Sequence, residues 1–215
     1  MNINIVFLIV QIGFIPSIVS LTKYYFGERS YKLLYIYIIT SYLTEVVTNR
    51  LINSNHTQSS ITLAKAYMLF EFIILISLLK RISKSNNYIK ALTIFGVVFW
   101  LIENVFLLNL NESEKYFNVI SSIILFLITI YSLTTNLNKN YRTFFKEADF
   151  AITITILFNF SFRIVFEYLY YNYEYNLQII QSISDIYLLV NFITNILFIY
   201  CLTCIKNTKK LISSF

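Results

Sequence analysis

Residues 150–171 read FAITITILFNFSFRIVFEYLYY, twenty-two residues without glycine or proline and with only Arg163 and Glu167 charged. As an α-helix, a run of this length covers the hydrocarbon core of a bilayer, about 30 Å thick, at about 1.5 Å per residue. A helix is also the form in which an isolated segment satisfies its own backbone polar groups in lipid. Its polar residues are not scattered. Asn159, Arg163 and Glu167 recur every four residues and so share one helical face. A spanning segment with a single polar stripe predicts a bundle whose outside is greasy and whose interior is not.

Six further apolar stretches repeat the pattern. Together the seven cover about 4–21, 33–52, 61–79, 89–110, 116–136, 150–171 and 177–205, and the polar breaks between them are too short to hold a folded soluble domain. The sequence therefore predicts an all-α integral membrane protein, a seven-transmembrane-helix bundle forming one transmembrane domain over 1–215. Composition agrees: 57% of residues are hydrophobic and 13% charged, about half the charge of a soluble domain. Three glycines and one proline leave little material for a turn-rich β fold. The first apolar stretch has no basic segment before it, so no cleavable signal peptide is expected.

Orientation follows from the basic residues, which accumulate in cytoplasmic loops. Lys23, Arg29 and Lys32 fall in the first break; Lys80, Arg81, Lys84 and Lys90 at the third; Lys139, Arg142 and Lys146 in the fifth; Lys206, Lys209 and Lys210 in the tail. These are thirteen of the seventeen basic residues, all on one side, whereas the loops of the other side hold only Lys115. The N-terminus is expected outside the cytoplasm and the C-terminus inside, in the cell membrane of a bacterium (its inner membrane) as a multi-pass protein. This bias, with attraction to anionic lipid headgroups, accounts for the net charge of +6 and removes the case for direct nucleic-acid binding. Tyrosines crowd the interfaces, with Tyr168, Tyr170, Tyr171, Tyr173 and Tyr175 near the sixth break and Tyr24, Tyr25 and Tyr31 near the first, as in an aromatic belt.

Ionisable groups inside the spans cost roughly 2.5 to 3.5 kcal/mol each on insertion scales, so each needs a partner, a water-filled cavity or a task. Glu45, Glu71, Glu103, Arg163, Glu167 and Asp185 are such groups, with Arg50 and Lys65 toward the span ends. The predicted topology puts them between mid-membrane and the outer surface. Helical spacing adds two more polar stripes, Ser41–Glu45–Asn49 on the second span and Gln178–Gln181–Asp185 on the seventh, expected to face Asn159, Arg163 and Glu167 across the interior. The candidate site is thus Glu45, Glu71, Glu103, Asn159, Arg163, Glu167, Gln181 and Asp185. Arg163, the one deep basic residue, needs Glu167, Asp185, Glu103 or Glu71 as counter-charge. A buried network that fixes helix register and an outward-opening pocket or ion path are both consistent with the pattern, and five acids to one deep arginine exceed what register requires.

Other motifs carry little. Cys201 and Cys204 form a C-x-x-C pair without further ligands nearby in sequence and read as packing residues. His56 is the only histidine, which excludes a multi-histidine zinc hydrolase or a bis-histidine haem site, and the seventh span has no lysine in its core for a retinal Schiff base. Arg50 and His56 have the spacing of HEPN ribonucleases but are expected outside, away from RNA. Asn55-His56-Thr57 and Asn111-Glu112-Ser113 match the N-glycosylation sequon. No cofactor, metal or enzymatic activity is indicated.

Ala66 to Phe72, Phe150 to Phe166 and Val190 to Ile196 resemble stretches of an uncharacterised family of small seven-span membrane proteins of the Bacteroidota. That resemblance implies a stand-alone sensor module, with no known ligand. In size, composition and span count the chain is also similar to membrane accessory proteins encoded beside type VI-B CRISPR effectors. The sequence thus supports a non-enzymatic sensor or receptor-like module with an outward polar pocket. Its loops are too short for an output domain, so it would act through a protein partner or a homo-oligomer. The alternatives are a pore-forming accessory protein of an anti-phage system and, third, a small transporter.

Overall fold

The computed structural model describes residues 3–26, 28–83, 87–107, 116–139, 148–173 and 177–205. Among them lie seven α-helices: α1 (Ile3–Phe26), α2 (Lys32–Asn53), α3 (Thr57–Ser83), α4 (Asn87–Leu101), α5 (Tyr116–Lys139), α6 (Ala148–Tyr173) and α7 (Leu177–Cys204). They match the seven apolar stretches in order, each extended by a few residues or trimmed at an end. The described residues contain no strand. Lys84, Arg142, Lys146, Lys206, Lys209, Lys210, the Asn111 sequon and the loop tyrosine Tyr175 lie outside the described residues.

Thr57–Ser83, Tyr116–Thr135, Ala148–Tyr170 and Ile180–Cys204 are long and apolar enough to cross a membrane. In α2 the tyrosines, threonines and Glu45 dilute the apolar residues. Large hydrophobic side chains nevertheless cover the outside of the helices, among them Leu43, Val47, Phe70, Ile73, Phe95, Leu127, Val165 and Leu189. A water-soluble protein does not expose apolar surface on this scale; lipid solvates it.

Packing closes a ring. α1 packs on α2, α2 on α3, α3 on α5, α5 on α6, α6 on α7 and α7 back on α1, while α4 lies outside against α3 and α5. Small residues set two of these contacts. Ser17 donates to the Gly13 carbonyl at 2.9 Å and reaches the Ile38 carbonyl of α2 at 3.4 Å. Gly96 of α4 sits against the buried ring of Phe72, and a methyl group there would overlap the ring outright. Gly96→Ala should therefore push α4 off α3 and cost about 1–3 kcal/mol. A thermal unfolding midpoint unchanged from the parent would contradict that contact.

One end of the ring gathers the basic residues. Arg81, near the end of α3, donates to the Ser30 carbonyl at 2.6 Å, pairs with Asp149 at the start of α6 at 3.0 Å, and lies 4.2 Å from the Tyr31 ring centre. Burial pushes the Tyr31 phenol above its usual range, and the Asp149 charge adds to the shift. Lys23 of α1 donates to the Ile205 carbonyl beyond α7 at 2.5 Å. At the opposite end α2 turns into α3 through Asn55, whose φ of 61° is left-handed, a conformation asparagine tolerates. The His56 N–H closes that turn onto the Leu51 carbonyl at 2.8 Å.

The interior is divided along its length. Toward the basic end it is filled by Leu34, Tyr35, Leu75, Leu79, Leu125, Ile152, Ile156, Cys201 and Leu202. Toward the other end Phe117 of α5 continues this core, Phe166, Ile183 and Val190 form a separate small cluster between α6 and α7, and a polar cavity lies beside them.

Candidate functional site

The cavity has a volume of about 350 Å³ and lies between α2, α3, α6 and α7. From α2 it is lined by Tyr37, Ser41, Thr44, Glu45, Thr48 and Asn49, and from α3 by Ala64, Tyr67, Met68 and Glu71. α6 contributes Asn159 and Arg163, and α7 contributes Tyr187, Asn191, Thr194, Asn195 and Phe198. It runs from Tyr37 and Phe198 up to Asn49, which stands four residues, about 6 Å, from the end of α2. The cavity thus extends toward the end opposite the basic residues.

Its floor is a chain of polar side chains. Tyr37 donates to Glu71 Oε1 at 3.1 Å, and Arg163 Nη1 meets Glu71 Oε2 at 2.7 Å. Arg163 Nη2 donates to Asn118 Oδ1 of α5, and the Asn118 amide donates in turn to Glu167. The Arg163 guanidinium also lies 5.6 Å from the Phe160 ring centre. Arg163 and Glu71 expose 15% and 8% of their side chains, so the pair is shielded from solvent on nearly all sides. At this depth an isolated charge is untenable, and each charge in the chain has an opposite charge or an amide to meet it. Five residues thereby tie α2, α3, α5 and α6 together.

The sequence-derived site residues divide into groups. Glu45, Glu71, Asn159 and Arg163 share the cavity, and Glu167 joins through Asn118. Glu71, among the four acids considered, is the direct partner of Arg163. Glu103 is elsewhere. It lies in a π-helical turn, Ile102–Leu107, that ends α4, and its carboxylate accepts the backbone N–H groups of Tyr116 at 2.8 Å and Phe117 at 2.5 Å. Those N–H groups open α5, where a helix has no internal acceptors and carries positive dipole. Gln181 and Asp185 are exposed and do not line the cavity, which corrects the expectation that their stripe faces Arg163. The Gln178 side chain lies outside the described residues.

The seventh helix uses a different face. Asn191, Thr194, Asn195 and Phe198 recur at helical spacing and line the cavity, with the exposed Tyr187 at its edge. That spacing was visible in the sequence, but the charged Asp185 outweighed it. Tyr37 and Asn118 were also missed, since neither a tyrosine among tyrosines nor a lone asparagine near a span end stands out. Lys65 is buried, and its ammonium has no hydrogen-bond partner among the described residues.

Most helical threonines here return a hydrogen bond to their own backbone, as Thr40, Thr129 and Thr155 do. Thr48 and Thr194 do not. Their hydroxyls are buried without a partner among the described residues, and both residues line the cavity. Glu45, an exposed residue at the cavity's edge, has no hydrogen bond or ion pair among the described residues. It stands between this cavity and a smaller one toward Gly13 and Tyr42. Among the described residues no three potential ligands cluster in a way that could hold a metal ion. Cys201 is buried against the Thr155 hydroxyl at 3.2 Å. No protein-family model, curated protein or solved structure matches the chain.

Proposed function

We propose that this chain is a seven-span protein of the cell membrane, N-terminus outside and C-terminus in the cytoplasm. It works as a non-enzymatic receptor-like module whose cavity receives a small ligand from the outer side. One observation carries the reading: a polar cavity of ligand size is lined by Tyr37, Glu71 and Arg163, which are joined in one hydrogen-bonded chain that continues to Asn118 and Glu167. Volumes of about 300–1,000 Å³ with a few convergent polar groups are usual for small-molecule sites. The likeness of three stretches to sensor modules of the Bacteroidota points the same way.

Transmission has a physical route. A ligand touching Tyr37 or Glu71 competes for hydrogen bonds that join α2, α3, α5 and α6. α3 and α6 are also held together at the basic end by Arg81 and Asp149. Any shift between them alters the Ser30–Tyr31 surface, where a protein partner or a second copy would read it. The apolar interior below Glu71 argues against a pore through a single chain, because ions crossing it would lose their hydration with nothing to replace it.

Cysteine labelling tests the orientation. Ser59→Cys, exposed near the start of α3, should react with a membrane-impermeant thiol reagent applied to intact cells, and Ser30→Cys only after permeabilisation. The opposite pattern would invert the topology and with it the ligand's side of entry. Planar-bilayer recordings of the purified chain should be silent, and cation currents reduced by Glu71→Gln would replace the receptor reading with a pore.

A further inference from the structure

The cavity's wall is not charge-balanced. Its ionisable residues, the tyrosines apart, are Glu45, Glu71 and Arg163. Arg163 and one oxygen of Glu71 neutralise each other, and the other oxygen of Glu71 accepts from Tyr37. Glu167, tied in through Asn118, adds further negative charge behind the floor. Arg50 at the rim and the buried Lys65 do not line the space. Among the described residues Glu45 has no counter-charge. Above the floor, the Thr194 hydroxyl is an independent sign of a missing partner: the residue is 6% exposed, lines the cavity and bonds neither its own helix nor a neighbour. Thr48 adds another unpartnered oxygen on the facing helix α2.

We propose that the cavity binds a small protonated amine, with the Glu45 carboxylate as its counter-ion and the hydroxyls of Thr48 and Thr194 as further acceptors for its N–H groups. This rests on the reading of the cavity as a ligand site. An ammonium group donates up to three hydrogen bonds and accepts none, which suits a wall of uncommitted oxygens. The rings of Tyr37, Tyr67, Tyr187 and Phe198 supply faces that attract a cation and cover an apolar body. A bare metal ion fits poorly. It would need several oxygens converging at about 2.3–2.6 Å for a cation such as calcium, whereas this space is far larger than one ion and has a single free carboxylate. An anion would meet Glu45 with no free positive group among the residues that line the cavity.

The test uses the purified full chain in detergent and three probes of similar shape: 2-phenylethylammonium, 2-phenylethanol and phenylacetate. Calorimetric titration should give binding for the ammonium ion alone, with a rise in unfolding midpoint. Glu45→Gln should weaken that binding about 10- to 100-fold, the usual weight of a charge-assisted contact, and Thr194→Val should weaken it less. Both variants should fold as the parent does, since neither side chain has a partner among the described residues. Ala64→Trp, which fills the cavity, should abolish binding. If the alcohol or the acid binds in an Ala64→Trp-sensitive way and the ammonium does not, the cation assignment is wrong while the ligand cavity stands. Ammonium binding indifferent to Glu45→Gln would also overturn the assignment. If no probe binds, the amine proposal fails, and the labelling experiments above judge the receptor reading separately.

Discussion

Arg163→Leu is expected to lower the stability of the purified protein by about 3–5 kcal/mol, the usual loss when one member of a buried pair is removed and its partner stays charged. The substitution would leave Glu71 with only the Tyr37 hydroxyl, and the Asn118–Glu167 arm without its cation. The magnitude discriminates between roles. Hydrogen bonds between membrane helices contribute only about 0.6 kcal/mol on average, so a loss of several kcal/mol identifies Arg163 as the electrostatic centre of four helices. Adding Glu71→Leu to Arg163→Leu should recover part of the loss, since the stranded charge is then gone. Unfolding midpoints and monodispersity in detergent measure both. An Arg163→Leu protein as stable as the parent would mean that the network ties nothing together.

Glu103→Ala should be the next most damaging change, costing about 2–4 kcal/mol. Its carboxylate meets two N–H groups at the start of α5 in a fully buried setting, and charged hydrogen bonds are each worth about 1.5–3 kcal/mol. The loss should localise: hydrogen exchange at the amides of Tyr116 and Phe117 should rise well before that of α3 or α6. Uniform acceleration over the chain would contradict a capping role. Glu45→Gln offers the contrast, with an expected change within about 0.5 kcal/mol. Three acids of one sequence class thus separate into network, cap and free carboxylate.

That separation marks the limit of what the sequence could convey. Helix positions were legible because lipid allows a spanning segment few other forms, so an apolar run such as residues 150–171 fixes both length and type. The Ser41–Glu45–Asn49 and Asn159–Arg163–Glu167 stripes were legible too, because spacing of four sets a face. Which face points inward was not. On α7, Gln181 and Asp185 carry the stronger polar signal, yet the helix turns Asn191 and Thr194 into the cavity. Helix rotation is decided by packing against α1 and α6, which no single-helix pattern contains. Glu103 was legible as a costly acid but not as a cap, since its partners lie thirteen and fourteen residues further on, across a connection whose path the sequence does not specify.

The proposed receptor requires a polar cavity open on the outer side and sealed below Glu71. Thr194→Cys, on the cavity wall, and Thr129→Cys, buried in α5, probe it directly in intact cells against the background of Cys201 and Cys204. With membrane-impermeant methanethiosulfonates bearing trimethylammonium or sulfonate, Thr194→Cys should react from outside, faster with the cation, and Thr129→Cys with neither. A Thr194→Cys protein inert to both reagents, or a Thr129→Cys protein that reacts as readily, would contradict the account.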